Sequence, residues 1–463
     1  MNDASTTPVP PVQLPQVPRL QSLRNSFRFN DLLPILDATL ESVGDTLVMY
    51  IGGVRRTVLT REPGLVQHIL QKNHRNYAKS AFTQGFSRYV GHGLLTNEGA
   101  DWLRQRRLIQ PGFHRQRVAA LTGLMQEIIE QTFQPLAEQA QRAGGSVDIN
   151  THELMTRLTF RVIARSVFST AFSDAELDRA SELLTRIQGF YVRTIRQPYL
   201  LPWFKVSGKY REHDRLTAEL RGLLARYISQ RQQATGSTPP DDLLQMLLDA
   251  RYEDSGEAMT DTQLLDEALI LVVAGHETSA NALTWLLRLL ALHPQEVQHI
   301  RAEAEAVLGG RPPTFADLPQ LGRALYAVQE AMRLYPPAWM LDRVALAEDE
   351  YNGLRIAKGT LFSVYLHGLH HDPKHWPQPQ EFQPARFAPG APKPLTHYAY
   401  APFGGGPRLC IGMQFALTEM QLVVLELLRR FEVEWVEGQP PVLSEPLITL
   451  RPKNDFKVRL RAR

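Results

Sequence analysis

The residue of this chain best suited to chemistry is a cysteine, because it is the only one among 463 residues. Cys410 lies in the stretch "APFGGGPRLCIGMQFA", residues 401–416, after three glycines and a proline and before a helix-like pattern. A lone cysteine is most often a small buried hydrophobe. At a helix N-terminus, however, the helix dipole and free N–H groups favour a thiolate. A thiolate in a glycine turn beside Arg408 fits a metal centre, and axial ligation of haem iron is one such use.

A second candidate group is the sequence "AGHETS", which begins at Ala274 inside an apolar segment. Gly, Glu and Thr lower the stability of a helix interior, so a functional role or a kink should explain them. The dipeptide His276-Glu277 also begins the zinc-protease pattern H-E-x-x-H, but the second histidine position is Ala280. The zinc-protease interpretation therefore fails.

The apolar segment itself, residues 264–292, is long enough to suggest a membrane span. Charged side chains in its interior, Glu277 and Arg288, would be costly in lipid. A capping-box pattern at residues 260–263 marks a helix start. We therefore predict a long buried helix of a protein without a membrane anchor.

Two pairs of side chains have spacings that place each pair on one helix face. Glu330 and Arg333 are three residues apart, and Trp102 and Arg106 are four apart. Taken alone, these would be an ordinary ion pair and a surface Trp–Arg stack.

A histidine cluster could form a metal site, but structural or solvated histidines are the favoured interpretation. Its members are His367, His370, His371 and His375.

Together these motifs resemble the cytochrome P450 superfamily. The cysteine stretch matches the family's haem-binding pattern F-x-x-G-x-R-x-C-x-G at every fixed position, namely Phe403, Gly406, Arg408, Cys410 and Gly412. The other motifs resemble the family's A-G-x-[D/E]-T, E-x-x-R and W-x-x-x-R. They follow the family's usual order from residue 102 to residue 412, so the resemblance covers nearly the whole chain.

The resemblance implies a haem b (iron protoporphyrin IX) whose iron is bound by Cys410. The cofactor-binding residues that it implies are Trp102, Arg106, Ala274, Gly275, Arg343, Phe403, Gly404, Arg408, Cys410 and Gly412. Among them, Trp102, Arg106 and Arg408 would hold the propionates, with Arg343 as a further candidate. Gly275 would leave space for O2.

The resemblance also assigns catalytic and structural roles. Thr278 would hydrogen-bond the oxygen bound at the iron, and Glu277 would relay protons to it. Glu330, Arg333 and Arg386 would form a scaffold behind the haem. The family often has an acidic residue just before this last arginine, where the chain has alanine.

The expected reaction is insertion of one atom of O2 into a lipophilic molecule such as a fatty acid, terpenoid, steroid or carotenoid. The pocket residues suggested by resemblance are Phe82, Phe86, Tyr89, Phe190, Leu271, Ala338, Trp339, Met340 and Leu447, with Arg88 as a candidate carboxylate anchor. A peroxide-driven or isomerising haem-thiolate enzyme and a non-catalytic haem sensor are the alternatives.

Electrons are expected from NAD(P)H through a ferredoxin or flavodoxin and its reductase, because no flavin or iron–sulfur domain follows in the sequence. We hypothesise that Arg104 and Arg107 help to dock an acidic donor, since they lie on the helix side away from Trp102. A net charge of +3 is too balanced to suggest nucleic acid as the main partner.

Composition and patterning favour a single large domain. Residues 1–20 form a Pro-rich leader whose two P-x-x-P spacings could bind an SH3-type domain, although a leader running into the fold is favoured. One cysteine excludes an internal disulfide and suits a reducing, cytoplasmic location. We expect a monomer with no secretion signal.

The rest of the chain, residues 21–463, is expected to be mainly α with a small sheet-rich lobe. A hairpin is predicted over residues 46–60, turning at Gly52-Gly53, and more strands over 340–366, turning at Asn352-Gly353. The best candidate break, residues 232–242, is short enough to be a surface loop.

Overall fold

The computed structural model describes residues 13–28, 32–169, 172–234, 239–392, 394 and 396–463. Its α-helices are α1 (Arg19–Ser26), α2 (Leu32–Val43), α3 (Pro63–Gln67), α4 (Ala81–Gly85), α5 (Ser87–Val90), α6 (Gly99–Ile109), α7 (Arg115–Arg142), α8 (Thr151–Phe168), α9 (Asp174–Arg196), α10 (Leu201–Val206), α11 (Lys209–Gln233), α12 (Leu243–Asp249), α13 (Asp261–Leu292), α14 (Pro294–Leu308), α15 (Gly322–Leu334), α16 (Leu366–His370) and α17 (Met413–Arg430).

The strands are shorter and gather into small sheets. They are β1 (Thr46–Ile51), β2 (Arg55–Thr60), β3 (Tyr77–Ala78), β4 (Ser146–Asn150), β5 (Leu341–Ala345), β6 (Asp349–Tyr351), β7 (Leu354–Ile356), β8 (Leu361–Val364), β9 (Phe431–Trp435), β10 (Ser444–Pro446), β11 (Leu450–Pro452) and β12 (Lys457–Ala462). The largest sheet has the order β1-β2-β8-β5-β3, and a second has the order β4-β12-β9. The prediction of a mainly helical fold with a small β region is confirmed.

Both predicted hairpin turns are present. β1 pairs with β2 in antiparallel register, with Thr46 opposite Thr60, and the turn glycines have positive φ. β6 pairs with β7 across Asn352 and Gly353, whose φ angles are 47° and 79°. Glycine and asparagine tolerate this left-handed backbone, which is why their pairs mark such turns.

The Pro-rich leader joins the fold earlier than the predicted boundary after residue 20. Gln16 forms a bridge with Val48 of β1, and α1 already begins at Arg19. The boundary is therefore corrected to a position before residue 16, because backbone pairing ties this part of the leader to the sheet. Residues 1–12, with the first P-x-x-P spacing, and residues 235–238 of the predicted break lie outside the described part of the chain.

Helix α13 is the long buried helix predicted from residues 264–292. Thr260 caps it by accepting a hydrogen bond from the Gln263 N–H, as the capping pattern indicated. Most of its side chains are buried on all faces, which its apolar composition explains. Among the residues that the structure describes, no helix is long and apolar enough to cross a membrane.

The close crossing of α13 and α8 depends on a glycine. A Cβ placed on Gly275 would lie 2.8 Å from Cγ1 of Ile163 in α8. At the same crossing, the Thr159 hydroxyl donates a hydrogen bond of 2.9 Å to the His276 carbonyl oxygen. Helix packing therefore gives a reason for Gly275, and its predicted role of leaving space for O2 stays a prediction.

Replacing this glycine should destabilise the protein. We expect Gly275→Ala to lower the free energy of unfolding by about 1–3 kcal/mol, because the added methyl group overpacks the crossing. Urea unfolding of the two proteins measures the difference. In an Ile163→Ala background, which removes the opposing atoms, the same change should cost less.

The matched control is Gly222→Ala in α11, where an added Cβ meets nothing within 4 Å. This variant should gain about 0.5–1 kcal/mol from better helix propensity. A Gly275→Ala protein as stable as the Gly222→Ala protein would contradict the packing explanation.

Candidate functional site

The cysteine loop is held in one shape by backbone contacts. The Cys410 N–H donates to the Phe403 carbonyl oxygen at 3.0 Å, and the Leu409 N–H donates to that of Gly406 at 3.1 Å. Gly406 has φ of 63°, and a Cβ there would collide with the Leu70 carbonyl. Gly404 also has positive φ, at 73°. The glycines are therefore required by the turn and by its close approach to the neighbouring backbone.

The Cys410 thiol faces open space inside the fold. Burial raises the pKa of Cys410, while the Gly412 N–H and the nearby Arg106 guanidinium lower it. Its side chain is nevertheless exposed. Because the Cys410 side chain lies deep in the protein and is still exposed, it must border an internal opening. Helix α17 begins only at Met413, three residues after the cysteine.

The middle of α13 also borders open space. Ala274 is exposed although the preceding residues of the helix are buried. The Thr278 hydroxyl donates a hydrogen bond of 2.7 Å to the Ala274 carbonyl oxygen, and Thr278 is half-buried. A small exposed residue with a hydroxyl one turn later gives this buried helix one open, polar face.

Glu277 is held on another side of α13. Its carboxylate accepts hydrogen bonds from Gln188 Nε2 in α9 at 2.5 Å and from the Thr449 hydroxyl at 2.7 Å. Asn281 Nδ2 in turn donates to the Thr449 hydroxyl oxygen at 3.0 Å. Sequence reasoning missed Gln188, Thr449 and Asn281, because nothing in their local sequence indicates that the fold brings them to this carboxylate.

A cluster of cations lies beside the cysteine loop. Arg106 donates to the Leu409 carbonyl oxygen at 2.8 Å, and the Arg408 guanidinium lies over the Trp102 ring at 4.2 Å and pairs with Glu98. Burial is the main cause of the lowered pKa of Arg106, Arg408 and Arg343. Of the predicted propionate partners, Trp102 and Arg343 are thus buried, and Arg106 and Arg408 are half-buried.

Lys79 is a further member of this cluster that sequence reasoning missed. Its ammonium group donates to the carbonyl oxygens of Leu94 and Asn97 at 3.2 and 3.1 Å. Burial, followed by repulsion from Arg408, lowers the pKa of Lys79 to about 7. A single lysine before a short helix carries no distinguishing signal in the sequence, so only the tertiary fold reveals it.

These observations agree with a bound haem. The uncovered thiol and the exposed face of α13 border open space inside the fold, and thiolate sulfur is an established axial ligand of haem iron. The cation cluster contains Lys79, Arg343 and Arg408. Burial and then repulsion from Arg408 and Arg343 lower the pKa of Lys79, burial and then repulsion from Arg343 lower that of Arg408, and Glu98 and Asp342 are the acidic neighbours. Two further carboxylates would relieve this repulsion, and haem carries two propionates.

The loop that holds Lys79 is fastened to the first half of α13. Glu267 accepts a hydrogen bond from the Leu94 N–H at 3.0 Å, and Asp266 accepts one from the His92 N–H at 2.7 Å. Asp266 also forms an ion pair with Arg221 of α11 at 2.6 Å. Two neighbouring carboxylates of α13 therefore position the carbonyl groups that contact the lysine.

The three residues predicted to form a scaffold behind the haem make one largely buried ion network. Arg333 donates to both carboxylate oxygens of Glu330 at 2.7 and 2.8 Å, and Arg386 Nε donates to the same carboxylate at 3.3 Å. Arg333 also binds the carbonyl oxygens of Pro379 and His370. This network fixes the segment that leads to the cysteine loop.

The members of the histidine cluster make contacts within the protein interior. His370 Nε2 accepts a hydrogen bond from the Ala401 N–H at 3.0 Å, and the His371 ring stacks on His367 at 4.2 Å. Burial lowers the pKa of His370 to about 3, so this ring is neutral. Within the described residues, no group of three or more His, Cys, Asp or Glu side chains could hold a metal ion.

The arginines proposed for donor docking are already paired. Arg104 Nε donates to Asp254 at 3.1 Å, its guanidinium stacks on Tyr252, and Arg107 lies 3.9 Å from Glu253. Their charges are therefore offset by the loop after α12. The docking hypothesis for Arg104 and Arg107 is withdrawn.

The predicted pocket residues divide into two groups. Phe190 stacks on His213 at 4.0 Å and packs against Phe204 between helices, so helix packing explains it. Trp339 donates its indole N–H to the Leu447 carbonyl oxygen at 2.9 Å. Trp339 belongs to the core cluster of α2, β1 and β2, and the half-buried Met340 packs against it. Their place in a pocket wall stays a prediction.

The remaining pocket candidates are Phe82, Phe86, Tyr89, Leu271, Ala338 and Leu447. Phe86 and Tyr89 form an aromatic group with Tyr191 of α9, at ring distances of 5.1 and 5.8 Å. Arg88 forms a bidentate pair with Asp214 at 2.9 and 2.8 Å. Its charge is therefore committed to that partner, and the suggestion of a carboxylate anchor is corrected.

Comparisons with known proteins agree with this geometry. The sequence profile of the family described as "Cytochrome P450" matches residues 10–459. The chain is 34% identical over 402 residues to "Cyclooctat-9-en-7-ol 5-monooxygenase" of Streptomyces melanosporofaciens, covering 87% of this chain and 85% of that protein. It is 28% identical to "Protein LUTEIN DEFICIENT 5, chloroplastic" of Arabidopsis thaliana, over 96% of this chain and 76% of that one.

A solved structure shows the same fold. The crystal structure of the "cytochrome P450DA heme domain" superposes on this chain with a TM-score of 0.83 at 25% sequence identity. The match covers 98% of this chain and 99% of the other. The helices, sheets and cysteine loop described above therefore belong to an architecture already seen in a haem protein.

The buried Glu267 should make stability depend on pH. Burial raises the pKa of Glu267 from 4.5 to about 7, so the folded state holds this proton more tightly than the unfolded state. Its stabilising contribution is complete below pH 4.5 and is lost as the pH rises through 7. Glu267→Gln keeps an acceptor for the Leu94 N–H and should be more stable than the parent at pH 8, by on the order of 2 kcal/mol.

Urea unfolding at pH 5, 6, 7 and 8 tests this expectation. The control is Glu257→Gln, which changes an exposed carboxylate shortly before the same helix. Parallel stability curves for the parent and Glu267→Gln over this pH range would refute the assignment.

Proposed function

Because this chain belongs to the cytochrome P450 family, and is a monooxygenase by that membership, we propose that it inserts one atom of O2 into a lipophilic small molecule with electrons from a separate redox partner. The observation that carries this proposal is the uncovered Cys410 thiol, held in a glycine loop that faces open space inside the fold. It is the only cysteine of the sequence, so it forms no internal disulfide, and its exposed side chain distinguishes it from a packed core cysteine.

Haem, when bound, supplies the reductive activation of O2 and the transfer of one oxygen atom to the substrate. Cys410 would hold its iron. Arg106, Arg343, Arg408 and Lys79 would neutralise the propionates, because buried carboxylates require cations. Trp102 has no hydrogen-bond partner for its indole N–H in the described part of the chain, so this donor is also available to a propionate.

The residues of α13 would control protons at this site. The Thr278 hydroxyl, which donates to the Ala274 carbonyl oxygen, can rotate about its C–O bond and donate toward the open space instead. Glu277 is fixed by Gln188 and Thr449, so its carboxylate acts from a defined position. We assign proton delivery at Oγ1 to Thr278, and proton supply to Glu277.

The substrate class is inferred from the wall and from the relatives. The remaining candidate wall residues are mainly aromatic and aliphatic, which favours a lipophilic ligand. One relative is named for oxygenation at position 5 of cyclooctat-9-en-7-ol, an alkenol. Terpenoid-like, carotenoid or fatty-acid substrates are therefore proposed, with NAD(P)H supplying electrons through a ferredoxin or flavodoxin and its reductase.

Turnover with a surrogate redox chain tests the proposed function. Purified holoprotein with ferredoxin, reductase and NADPH should consume NADPH and O2 faster when a bound lipophilic compound is present. The same compound should shift the spin state of the iron in the optical spectrum. Cys410→Ser should lose both this turnover and the thiolate spectrum of the carbon monoxide complex. An imidazole-type carbon monoxide spectrum of the parent, or a thiolate spectrum of the serine variant, would overturn the proposal.

The hydroxyl of Thr278 should govern coupling between O2 consumption and product. Thr278→Ala should lower the product formed per O2 by about tenfold or more, because proton delivery loses its final donor. Thr278→Ser keeps the hydroxyl and serves as the matched control. Simultaneous measurement of O2, NADPH, peroxide and product gives the ratio. Unchanged coupling in the alanine variant would favour a peroxide-driven enzyme instead.

A further inference from the structure

The face of α8 that meets α13 carries several polar side chains. His152, Thr156 and Thr159 are four and three residues apart, so they lie along one side of the helix. The hydrogen bond from the Thr159 hydroxyl to the His276 carbonyl oxygen places this side against α13. Nδ1 of His152 and Oγ1 of Thr156 are buried and have no hydrogen-bond partner among the residues that the structure describes. We name these three side chains the polar stripe.

The first residue of the polar stripe lies close to solvent. His152 is half-buried, and the Asp455 carboxylate that acts on its ring is exposed. The Thr151 N–H donates to the Phe456 carbonyl oxygen at 3.2 Å, which fastens the start of α8 to the segment after β11. An imidazole in such a position can exchange protons with water in the neutral pH range.

The same segment leads from His152 to Glu277. Thr449, which directly precedes β11, donates its hydroxyl to the Glu277 carboxylate at 2.7 Å, and Arg451 lies within that strand. Burial and then Arg451 lower the pKa of His152 from its ordinary value of 6.5, Asp455 and Glu277 raise it, and His276 lowers it further. These groups therefore surround the ring, and the acid of the site is one of them.

The other neighbours of Glu277 are less suited to bring protons from solvent. His276 is buried, its Nδ1 lies 3.1 Å from the Val272 carbonyl oxygen, and its ring packs edge-on against Phe160 at 5.1 Å. Gln188 holds the carboxylate with an amide group, which does not titrate. Among these neighbours, only His152 combines a titratable ring with partial exposure to solvent.

We propose that His152 carries protons from solvent to Glu277 through water bound along the polar stripe. The unpartnered Nδ1 and the Thr156 hydroxyl would bind this water, because buried polar atoms are nearly always hydrogen-bonded. The neutral ring takes up a proton at the surface, and the imidazolium gives a proton through the bound water to the Glu277 carboxylate. The carboxyl group passes this proton toward Thr278, so His152, the water and Glu277 all return to their starting states. This inference deepens the proposed function and rests on it for the direction of proton flow.

Turnover of the holoprotein tests this relay. His152→Gln keeps a polar side chain that cannot titrate, and it should lower the turnover rate about tenfold or more. The ratio of rates in H2O and D2O should increase, because proton transfer then limits turnover. The parent rate should rise as the pH is lowered toward the pKa of this ring, and the variant should lack this rise. The spin shift caused by the lipophilic compound should be the same in both proteins.

Matched controls separate the relay from general effects of substitution. His299→Gln replaces an exposed histidine of α14 and should behave like the parent. Thr156→Val removes one hydroxyl of the polar stripe with little change in volume, and it should lower the rate by a smaller factor than His152→Gln. Circular dichroism and the spectrum of the carbon monoxide complex show that each variant is folded.

A second measurement tests the electrostatic contact without turnover. Nuclear magnetic resonance of labelled histidine rings, in the reduced protein under carbon monoxide, gives the pKa of His152, and the signal missing from His152→Gln assigns the ring. Glu277→Gln and Asp455→Asn should each lower this pKa, because each removes a carboxylate that raises it. Glu257→Gln, an exposed site before α13, should leave it unchanged.

The outcomes distinguish this proposal from the proposed function. An unchanged rate and isotope effect in His152→Gln, or a pKa of His152 that does not respond to Glu277→Gln, would refute the relay. In that case Thr278→Ala would still uncouple O2 consumption from product, and Cys410→Ser would still lose the thiolate spectrum, so the proposed function would stand. An imidazole-type carbon monoxide spectrum of the parent would refute both.

Discussion

The site depends on the fixed shape of the cysteine loop. Gly406 lies so close to the Leu70 carbonyl that no side chain fits, and its positive φ turns the backbone toward Cys410. The hydrogen bond from the Cys410 N–H to the Phe403 carbonyl oxygen closes the turn. Because these are backbone contacts, they hold the thiol in place without covering it. The buried Glu330–Arg333 network fixes the segment that enters this loop.

Helix α13 connects the parts of the structure that this thiol needs. Its first half holds the loop around Lys79 through Asp266 and Glu267, and its middle offers the open face at Ala274 and Thr278. Gly275 allows the close crossing with α8 on the other side. One helix therefore combines a rigid packed side with an open polar side, as pre-organised chemistry requires. Glu277 also connects this helix to Gln188 of α9 and to Thr449 between β10 and β11.

Charge has two separate distributions in the molecule. Beside the cysteine loop, burial and then repulsion from Arg408 lower the pKa of Lys79, which fits a site for an anionic cofactor. On the outside, residues 13–28, 46–56 and 189–208 combine exposed cations with exposed apolar side chains. Burying the cations beside the cysteine loop costs free energy unless an anion is bound there. The second costs little in water, because exposed charges are solvated.

Local patterns determine a large part of this protein. The cysteine motif, the capping box before α13, the turn at Asn352-Gly353 and the mainly helical fold follow from short-range spacing, because turns, caps and helix faces depend on neighbouring residues. The scaffold pair Glu330 and Arg333 follows from helix geometry in the same way.

Contacts between distant segments could not be inferred from spacing. Lys79 joins the cation cluster, Gln188 and Thr449 bind Glu277, and Asp254 pairs with Arg104 only because the fold brings remote parts of the chain together. The packing role of Gly275 opposite Ile163 likewise could not be inferred from its motif. Which face of a helix meets which neighbour is decided by tertiary packing, because the same periodic pattern permits several neighbours.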